Sequence, residues 1–218
     1  DAVFTTPFTY VATAEVIALL GATPVFVDVY ESTFNIDCEK LESAIQNTIS
    51  EGKLKPKAII PVDLFGLPAR YRLISDIAKK HNLKVIEDGA QSFGASIRAK
   101  KVGTFGDIAA TSFYPAKPLG CYGDGGAMFT NDDSLAEQCR AIRIHGTSSD
   151  KYNSEVIGLN GRLDSIQAAV LLEKLTIFDE ELEMRNKVND YYRKFLKNAQ
   201  YIPKNYHSAH ALFSITLG

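Results

Sequence analysis

Short apolar runs alternate with amphipathic stretches along the first half of the chain. Apolar runs bounded by glycine, proline or aspartate are typical of buried strands, and they occur at residues 3–5, 24–29, 57–62 and 83–88. Apolar positions at helical spacing predict helices between these runs, at residues 13–20, 36–45 and 67–81. Because strands alternate with helices, we expect an α/β fold with a mainly parallel sheet and helices on both faces.

Capping and breaking residues set the expected ends of these helices. Thr9 or Thr13 is predicted to cap the first helix, and Gly21 is predicted to end it. Asp37 is expected near the start of the second helix, and Pro68 is expected early in the third.

The second half of the chain has a different pattern. Apolar runs predict further strands at residues 108–113 and 127–130, and a strand-like run follows at 209–218. Helices are predicted at residues 132–140, opened by Asn131 or Asp132, and at 162–173 and 178–196. The polar residues 143–161 are expected to form a loop, and residues 201–210 a linker.

Composition narrows the class of protein. The 218 residues carry a formal net charge of −2 with acids and bases interspersed, which argues against a chain that mainly binds nucleic acid or a membrane surface. Cys38, Cys121 and Cys139 form no CxxC pair, so no disulfide framework or metal site is expected and a cytoplasmic location is favoured. No apolar run reaches the length that crosses a bilayer.

Both ends of the chain lie close to strand-like runs. The sequence begins at Asp1 without a methionine, and its last run has no following partner. We therefore expect a fragment of a longer protein.

The loop between residues 113 and 126 carries the candidate chemistry. Pro115 and Pro118 flank Lys117, and Gly120 and Gly123 follow. Prolines restrict the backbone around the lysine, whereas glycines allow close approach to the chain or to a ligand. The simpler alternative is a surface lysine in a hairpin-like loop.

Polar residues follow several of the predicted strands. Asp88 ends one strand, Ser112 ends another, and Tyr10 lies in the turn after the first strand. Because ligands bind at the carboxyl ends of parallel strands, these residues and Lys117 are expected to meet in one crevice.

This set of side chains suits pyridoxal 5′-phosphate (PLP). Lys117 would form the Schiff base, and the carboxylate of Asp88 would keep the pyridine nitrogen protonated. The hydroxyl of Ser112 would bind the phosphate, and the ring of Tyr10 would stack on the cofactor.

Each assignment has an alternative. Asp88 is also a reasonable helix cap, Ser112 a simple strand end, and Tyr10 a core residue. Gln91 has the alternative of bonding only to loop backbone. His145 is interpreted as a structural loop histidine rather than a catalytic base, and nothing in the sequence indicates an activated Cys121.

Seven motifs in order carry a family resemblance. They occupy residues 8–13, 87–95, 106–107, 111–120, 123–126, 130–132 and 159–169. Together they resemble the DegT-type (DegT/DnrJ/EryC/StrS) sugar-nucleotide aminotransferases, which are PLP enzymes of fold type I. The resemblance implies a PLP-binding large domain at residues 1–197, lacking its N-terminal part. Residues 198–218 would be the linker and first strand of a small C-terminal domain.

The resemblance also implies roles for the site residues. Lys117 would hold PLP and move protons, Asp88 would pair with the pyridine nitrogen, and Gln91 would lie against the ring or its hydroxyl. Ser112 and Tyr10 would take the phosphate and stacking roles described above. Asn160 would reach the phosphate in the neighbouring subunit of a homodimer, and Arg162 that subunit's substrate region.

The implied reaction moves an amino group, usually from L-glutamate, to a nucleotide-linked keto sugar for surface polysaccharide or glycan synthesis. Residues 111–126 look closest to the branch that aminates UDP-2-acetamido-2-deoxy-3-oxo-glucuronate, and the branches that aminate 4-keto-6-deoxy sugars are similar to it. A lysine at position 117 argues against relatives that carry histidine there and deoxygenate sugars. The alternatives are another fold-type I enzyme that acts on amino acids, or a non-catalytic regulator that keeps the fold.

Overall fold

The computed structural model describes residues 1–147 and 153–217. Its strands are β1 (Ala2–Thr5), β2 (Thr23–Phe26), β3 (Pro56–Ile59), β4 (Lys84–Asp88), β5 (Ser96–Ile97), β6 (Lys100–Lys101), β7 (Ile108–Ser112), β8 (Gly126–Phe129) and β9 (Tyr206–His207). Its helices are α1 (Ala12–Leu19), α2 (Cys38–Glu51), α3 (Tyr71–His81), α4 (Asp133–Arg143), α5 (Ser165–Leu175) and α6 (Phe178–Arg193).

Six strands form the central sheet in the order β2-β1-β3-β4-β7-β8. Every neighbouring pair is parallel except β7 and β8, which are antiparallel. The predicted α/β fold with a mainly parallel sheet is therefore confirmed. A small second sheet, β6-β5-β9, pairs its strands antiparallel.

The alternation of side chains along β4 separates the core from the crevice. Val85 and Glu87 are buried, whereas Ile86 and Asp88 are only partly buried. Asp88 is paired with Ala110 of β7 in the parallel ladder. The last residue of β4 therefore reaches the carboxyl edge of the sheet beside β7.

Two apolar clusters hold the layers together. The larger one joins β1, β3 and β4 to α2 and α3, and includes the fully buried Phe4, Leu41, Ile59 and Ile74. The smaller cluster joins the residues that follow β7 to α5 and α6. Its buried members are Phe113, Leu119, Cys121, Leu171 and Phe178. This second cluster supports the loop that carries Lys117.

The predicted capping of α1 is wrong. The cap position is Val11, which makes no side-chain cap bond, and the helix starts at Ala12. Thr13 lies inside the first turn, and its hydroxyl donates to the carboxylate of Asp88 instead. In contrast, Asp37 caps α2 by accepting from the amides of Glu39 and Lys40, and Asp132 caps α4.

The third helix begins later than predicted, at Tyr71 rather than at residue 67. The side-chain amide of Asn35 donates to the carbonyl oxygens of Leu67, at 2.9 Å, and Pro68, at 3.2 Å. Because these carbonyls bond to Asn35 and the residue before a proline disfavours helix, the segment stays extended up to Arg70.

The final strand-like run does not form a regular strand within its described part, residues 209–217. Ile215 makes an isolated bridge with Ala199 instead. The chain before this run packs on loops of the central sheet. There the side-chain amide of Gln200 donates to the carbonyls of Thr33 and Leu64. The domain boundary after residue 197 stays a prediction.

The predicted loop at 143–161 lies partly outside the described residues. Its described ends are joined by isolated bridges, Ile144 to Asn160 and Thr147 to Ser154. The helix predicted at 162–173 begins at Ser165, and the one predicted to end at 196 ends at Arg193.

Within residues 1–147 and 153–217, no helix has both the length and the apolar character needed to span a membrane.

Candidate active site

A cavity of about 810 Å³ opens at the carboxyl ends of the parallel strands. Five predicted site residues line it, and these are Tyr10, Asp88, Gln91, Ser112 and Lys117. The acid and the amine therefore face the same cavity rather than opposite sides of the sheet. Its size lies within the usual range of small-molecule sites.

Asp88 is fixed at the floor of the cavity through both carboxylate oxygens. Its Oδ2 accepts a 2.8 Å hydrogen bond from the Thr13 hydroxyl, and its Oδ1 accepts a 3.2 Å bond from the Ala90 amide. The Thr13 hydroxyl is itself 3.1 Å from that of Thr9, one helical turn earlier. The bond from the Ala90 amide is the kind that a helix-capping aspartate accepts. The bond from the Thr13 hydroxyl, in contrast, orients the carboxylate towards α1.

Lys117 lies on a loop whose backbone closes on itself. Its amide donates to the carbonyl of Tyr114, and the amide of Cys121 donates to the carbonyl of Phe113. A Cβ added to Gly120 would lie 2.6 Å from the carbonyl oxygen of Pro115, so this position requires glycine.

Helix α5 supports the same loop from behind. Nζ of Lys174 donates a 2.7 Å bond to the carbonyl of Gly120, and the Tyr122 amide donates a 2.7 Å bond to Oε1 of Gln167. Among the described residues, the amine of Lys117 makes no hydrogen bond or ion pair. The lysine is half-buried and lines the cavity.

Ser112 and Tyr10 complete the wall near the strand ends. The Ser112 hydroxyl accepts a 3.2 Å bond from the Tyr114 amide. Tyr10 is 72% exposed, so the alternative of a core tyrosine is wrong. Its ring is available to a ligand in the cavity.

Gln91 hydrogen-bonds to loop backbone, which is the simpler of the two interpretations given for it. Its Oε1 accepts a 2.7 Å hydrogen bond from the backbone amide of Phe65. The oxygen is therefore engaged by protein, although Gln91 also lines the cavity.

Asn160 and Arg162 do not line this cavity. Both are exposed, and Nε of Arg162 donates a 2.9 Å bond to Oδ1 of Asn160. His145 is also exposed, and its backbone amide donates to the carbonyl of Leu159. Cys121 is fully buried with its sulfur 3.0 Å from the carbonyls of Phe113 and Gly123, which is a structural environment.

Several residues at the site were not found from the sequence. Thr13 holds Asp88, Thr111 donates to the carbonyl of Gly89, and Ala211 and Leu212 line the cavity from the C-terminal segment. Thr9 and Thr13 are four residues apart, which is the spacing of one helical turn, and this spacing could have indicated that their hydroxyls lie together. No local pattern indicated that residues 211–212 would return to this edge.

Two buried acids, Asp63 and Glu87, lie next to the site, and Glu87 also lines the cavity. Asp63 accepts from the Ala69 amide and the Tyr71 hydroxyl on Oδ1, and from the Ser92 hydroxyl on Oδ2. Glu87 accepts from the amides of Gly103 and Phe105. Burial raises the pKa of both carboxyls, and the proximity of Glu87 raises the pKa of Asp63 further.

The residues around the cavity fit PLP. A carboxylate, an amine, a hydroxyl and an exposed aromatic ring face one volume, and these are the groups that the ring nitrogen, the aldehyde, the phosphate and the ring face require. Lys117, Asp88, Ser112 and Tyr10 are the residues that would hold the cofactor.

The fold is that of the fold-type I PLP-dependent transferases, and the chain belongs to the DegT/DnrJ/EryC1/StrS aminotransferase family, whose pattern matches residues 1–217. The family predicted from the motifs is thus confirmed, and its enzymes use PLP. Membership favours the aminotransferase hypothesis over the two alternatives.

Two characterised relatives are similar to the chain. UDP-2-acetamido-2-deoxy-3-oxo-D-glucuronate aminotransferase of Pseudomonas aeruginosa is 48% identical over 221 residues, which cover 100% of this chain and 59% of that protein. The pleiotropic regulatory protein of Geobacillus stearothermophilus is 50% identical over 199 residues, covering 91% of this chain and 51% of that protein. The chain thus spans little more than half the length of these relatives.

A solved structure agrees closely with the fold. The crystal structure of a DegT DnrJ EryC1 StrS aminotransferase from Brucella abortus superposes with a TM-score of 0.96 at 53% sequence identity. The match covers 98% of this chain and 58% of that chain.

Proposed function

We propose that this protein is a PLP-dependent aminotransferase that transfers an amino group to a nucleotide-linked keto sugar. The observation that carries the proposal is the shared cavity, in which the unpaired amine of Lys117 and the oriented carboxylate of Asp88 face the same volume. L-glutamate is the proposed donor, and the proposed acceptor is UDP-2-acetamido-2-deoxy-3-oxo-glucuronate. The relative that is named for this activity and shares 48% identity supports the choice of acceptor.

Lys117 is proposed to carry both the cofactor and the mobile proton. PLP, when bound, supplies an electrophilic carbon that an amine attacks and a ring that accepts electrons. Lys117 holds the cofactor through its Nζ. Once released, the amine would move a proton between the donor's α-carbon and the cofactor carbon in the first half-reaction, and between that cofactor carbon and the sugar carbon in the second.

Asp88 is proposed to hold a proton on the ring nitrogen. A carboxylate beside that nitrogen favours its protonated form by charge and by hydrogen bonding. The Thr13 hydroxyl and the Ala90 amide restrict the rotation of the carboxylate, so the acid is oriented before the cofactor binds. Ser112 is proposed to bind the phosphate, Tyr10 to stack on the ring, and Gln91 to contact the ring through its free amide nitrogen.

The protein is proposed to act as a cytoplasmic homodimer with shared sites. Asn160 and Arg162 are exposed and lie outside the cavity of their own chain, which supports a role in the neighbouring subunit's site. Asn160 would contact the phosphate there and Arg162 the substrate.

The reaction is tested by incubating the protein with PLP, L-glutamate and a panel of UDP- and dTDP-linked keto sugars, followed by mass measurement of the sugar product. We expect the sugar to gain an amino group and the absorbance near 400 nm, roughly that of a lysine-bound cofactor, to be lost in Lys117→Ala. The exposed Lys197 provides a matched control, because Lys197→Ala leaves the cavity intact. Amination of keto acids only, or an unchanged Lys117→Ala protein, contradicts the proposal.

Sharing of sites is tested by mixing two inactive variants, Lys117→Ala and Arg162→Ala. A mixed dimer then contains one intact site, so random assortment restores about a quarter of the wild-type rate. No recovery after exchange of subunits shows that each chain uses its own arginine.

A further inference from the structure

The turn after β3 holds two consecutive residues in the left-handed region. Phe65 has φ 61° and ψ 11°, and Gly66 has φ 99°. A bulky residue at positive φ costs free energy and persists only where its surroundings hold it there. The turn also lies very close to the C-terminal segment, since a Cβ on Gly66 would be 2.9 Å from the backbone nitrogens of His210 and Ala211.

Hydrogen bonds on both sides of Phe65 hold this conformation. Its amide donates a 2.7 Å bond to Oε1 of Gln91. Its carbonyl accepts from the amides of Ala211, at 3.0 Å, and Leu212, at 3.4 Å. Gln91, Ala211 and Leu212 all line the cavity, so the backbone of one residue connects two of its walls.

The ring of Phe65 packs on two further aromatic rings. It packs edge-to-face on Phe8 and on Phe34, each with a centroid distance of 5.9 Å. Phe8 and Phe34 also contact each other at 6.0 Å, which closes the trio. Phe8 lies in the turn that leads to Tyr10, so the trio supports the residue expected to stack on the cofactor.

We propose that Phe65 is a positioning residue that sets the spacing between the cofactor side of the cavity, at Tyr10 and Gln91, and the wall formed by Ala211 and Leu212. Phe65 itself does not line the cavity, so it acts through these neighbours. In this arrangement Gln91 positions the opposite wall through its oxygen. The expected effect on catalysis rests on the proposed function. The mechanical connection, by which we mean the hydrogen bonds from Phe65 to Gln91, Ala211 and Leu212, does not.

A change at Phe65 should therefore affect the binding of the keto sugar more than the turnover of the bound complex. The Lys117 loop is held independently by Lys174 and Gln167 of α5, so covalent attachment of the cofactor at Lys117 is expected to persist without the Phe65 ring. We expect Phe65→Gly, which relieves the backbone and removes the ring, to raise KM for the keto sugar at least tenfold while kcat changes less than threefold. The absorbance of bound PLP should be unchanged.

The mechanical connection is measured directly by hydrogen exchange of the peptide that contains Ala211 and Leu212, whose amides bond to Phe65. We expect exchange to be about tenfold faster in Phe65→Gly and in Gln91→Leu. Phe65→Gly keeps the backbone bonds but removes the ring that holds the turn, and Gln91→Leu removes the acceptor of the Phe65 amide. Because both variants loosen the same turn, the double variant should exchange no faster than the faster single variant. Asn82→Gly is the matched control, since Asn82 also has positive φ, 52°, but ends α3 and does not line the cavity.

Unchanged exchange in both Phe65→Gly and Gln91→Leu would overturn the proposal, as would equal acceleration in Asn82→Gly. If circular dichroism shows that Phe65→Gly is unfolded, Phe65→Asn replaces it, because asparagine tolerates the left-handed conformation without supplying a ring. Absence of transaminase activity with faster exchange refutes the proposed function and leaves the connection standing. Transaminase activity with unchanged exchange refutes the connection through Phe65 and leaves the proposed function standing.

Discussion

The hydroxyl of Thr13 donates a 2.8 Å hydrogen bond to Oδ2 of Asp88, joining the first turn of α1 to the end of β4 across 75 residues of sequence. The bond orients an acid whose orientation matters for the proposed chemistry. Thr13 lies within the first turn of α1, and the cap position belongs to Val11, whose apolar side chain cannot accept a capping bond.

Replacing Thr13 by valine tests the contribution of this bond. Valine keeps the β-branched shape and removes the donor, and hydrogen bonds to charged groups are worth about 1.5–3 kcal/mol. We expect kcat/KM to fall by roughly tenfold to a hundredfold, since 1.4 kcal/mol corresponds to a factor of about ten. The measurement is steady-state kinetics with glutamate and the keto sugar.

Thr9→Val is the control for this experiment. Thr9 is 3.1 Å from the hydroxyl of Thr13 but makes no bond to Asp88, so its replacement should cost several times less. Equal losses in the two variants would show that the carboxylate does not depend on Thr13.

Gly120→Ala should displace the loop that carries Lys117. An added Cβ would lie 2.6 Å from the carbonyl oxygen of Pro115 and 2.8 Å from that of Tyr114, so the backbone on both sides of the lysine must shift. Because a displacement of about 1 Å can cost a hundredfold in rate, we expect at least that loss, with weaker PLP binding. Absorbance titration with PLP and steady-state kinetics measure the two effects.

Gly21→Ala provides the comparison for a glycine without such a contact. Gly21 has φ 71° but no atom within 4 Å of an added Cβ, so alanine there strains only the end of α1. This variant should lose some stability and keep its rate per bound cofactor. If Gly120→Ala binds PLP as the wild type does, the loop is less constrained than its geometry indicates.

The architecture and most of the cavity could be predicted because they depend on local patterns. Apolar runs mark the strands, and the residues that end parallel strands must lie at one edge of the sheet. Asp88, Ser112 and Tyr10 reach the cavity for this reason, and Lys117 follows from the loop after β7.

The features that were missed depend on contacts between distant parts of the chain. The start of α3 is set by Asn35, which lies 32 residues before Leu67. The hydroxyl of Thr13, one of the two expected caps of α1, bonds to Asp88 instead. Likewise, Ala211 and Leu212 return to the cavity through backbone bonds to Phe65, which any side chain could make. Pattern and propensity do not carry such information.

Tyr71→Phe should destabilise the fold without altering the cavity wall. The Tyr71 hydroxyl donates a 2.8 Å bond to Oδ1 of the fully buried Asp63, while its ring stacks on Phe105 at 4.7 Å. Phenylalanine preserves the stacking and leaves the acid with one donor fewer, so we expect a loss of about 1–3 kcal/mol in the free energy of unfolding. Urea unfolding followed by circular dichroism measures it, and a change below about 0.3 kcal/mol would contradict the role of this bond.

His210 should make the stability of the protein sensitive to acid. The pKa of His210 is lowered from 6.5 to about 4, mainly by burial and also by the neighbouring cations Arg193 and Arg185, against the opposing effect of Asp190. Between these two pH values the unfolded chain binds more protons than the folded one, so stability is lost as the pH falls through that window. Allowing for its partial exposure, we expect a contribution of about 1–2 kcal/mol.

The variant His210→Asn should remove this part of the acid sensitivity, and asparagine suits the backbone because His210 has φ 46°. The free energy of unfolding, measured in urea at about pH 7 and about pH 4.5, should then fall less on acidification than in the wild type. His207→Asn is the control, because it makes the same substitution at an exposed histidine on β9. If His210→Asn and the wild type lose stability equally, the imidazole is solvated in the folded protein, and the contact between residues 208–212 and the cavity is looser than the geometry indicates.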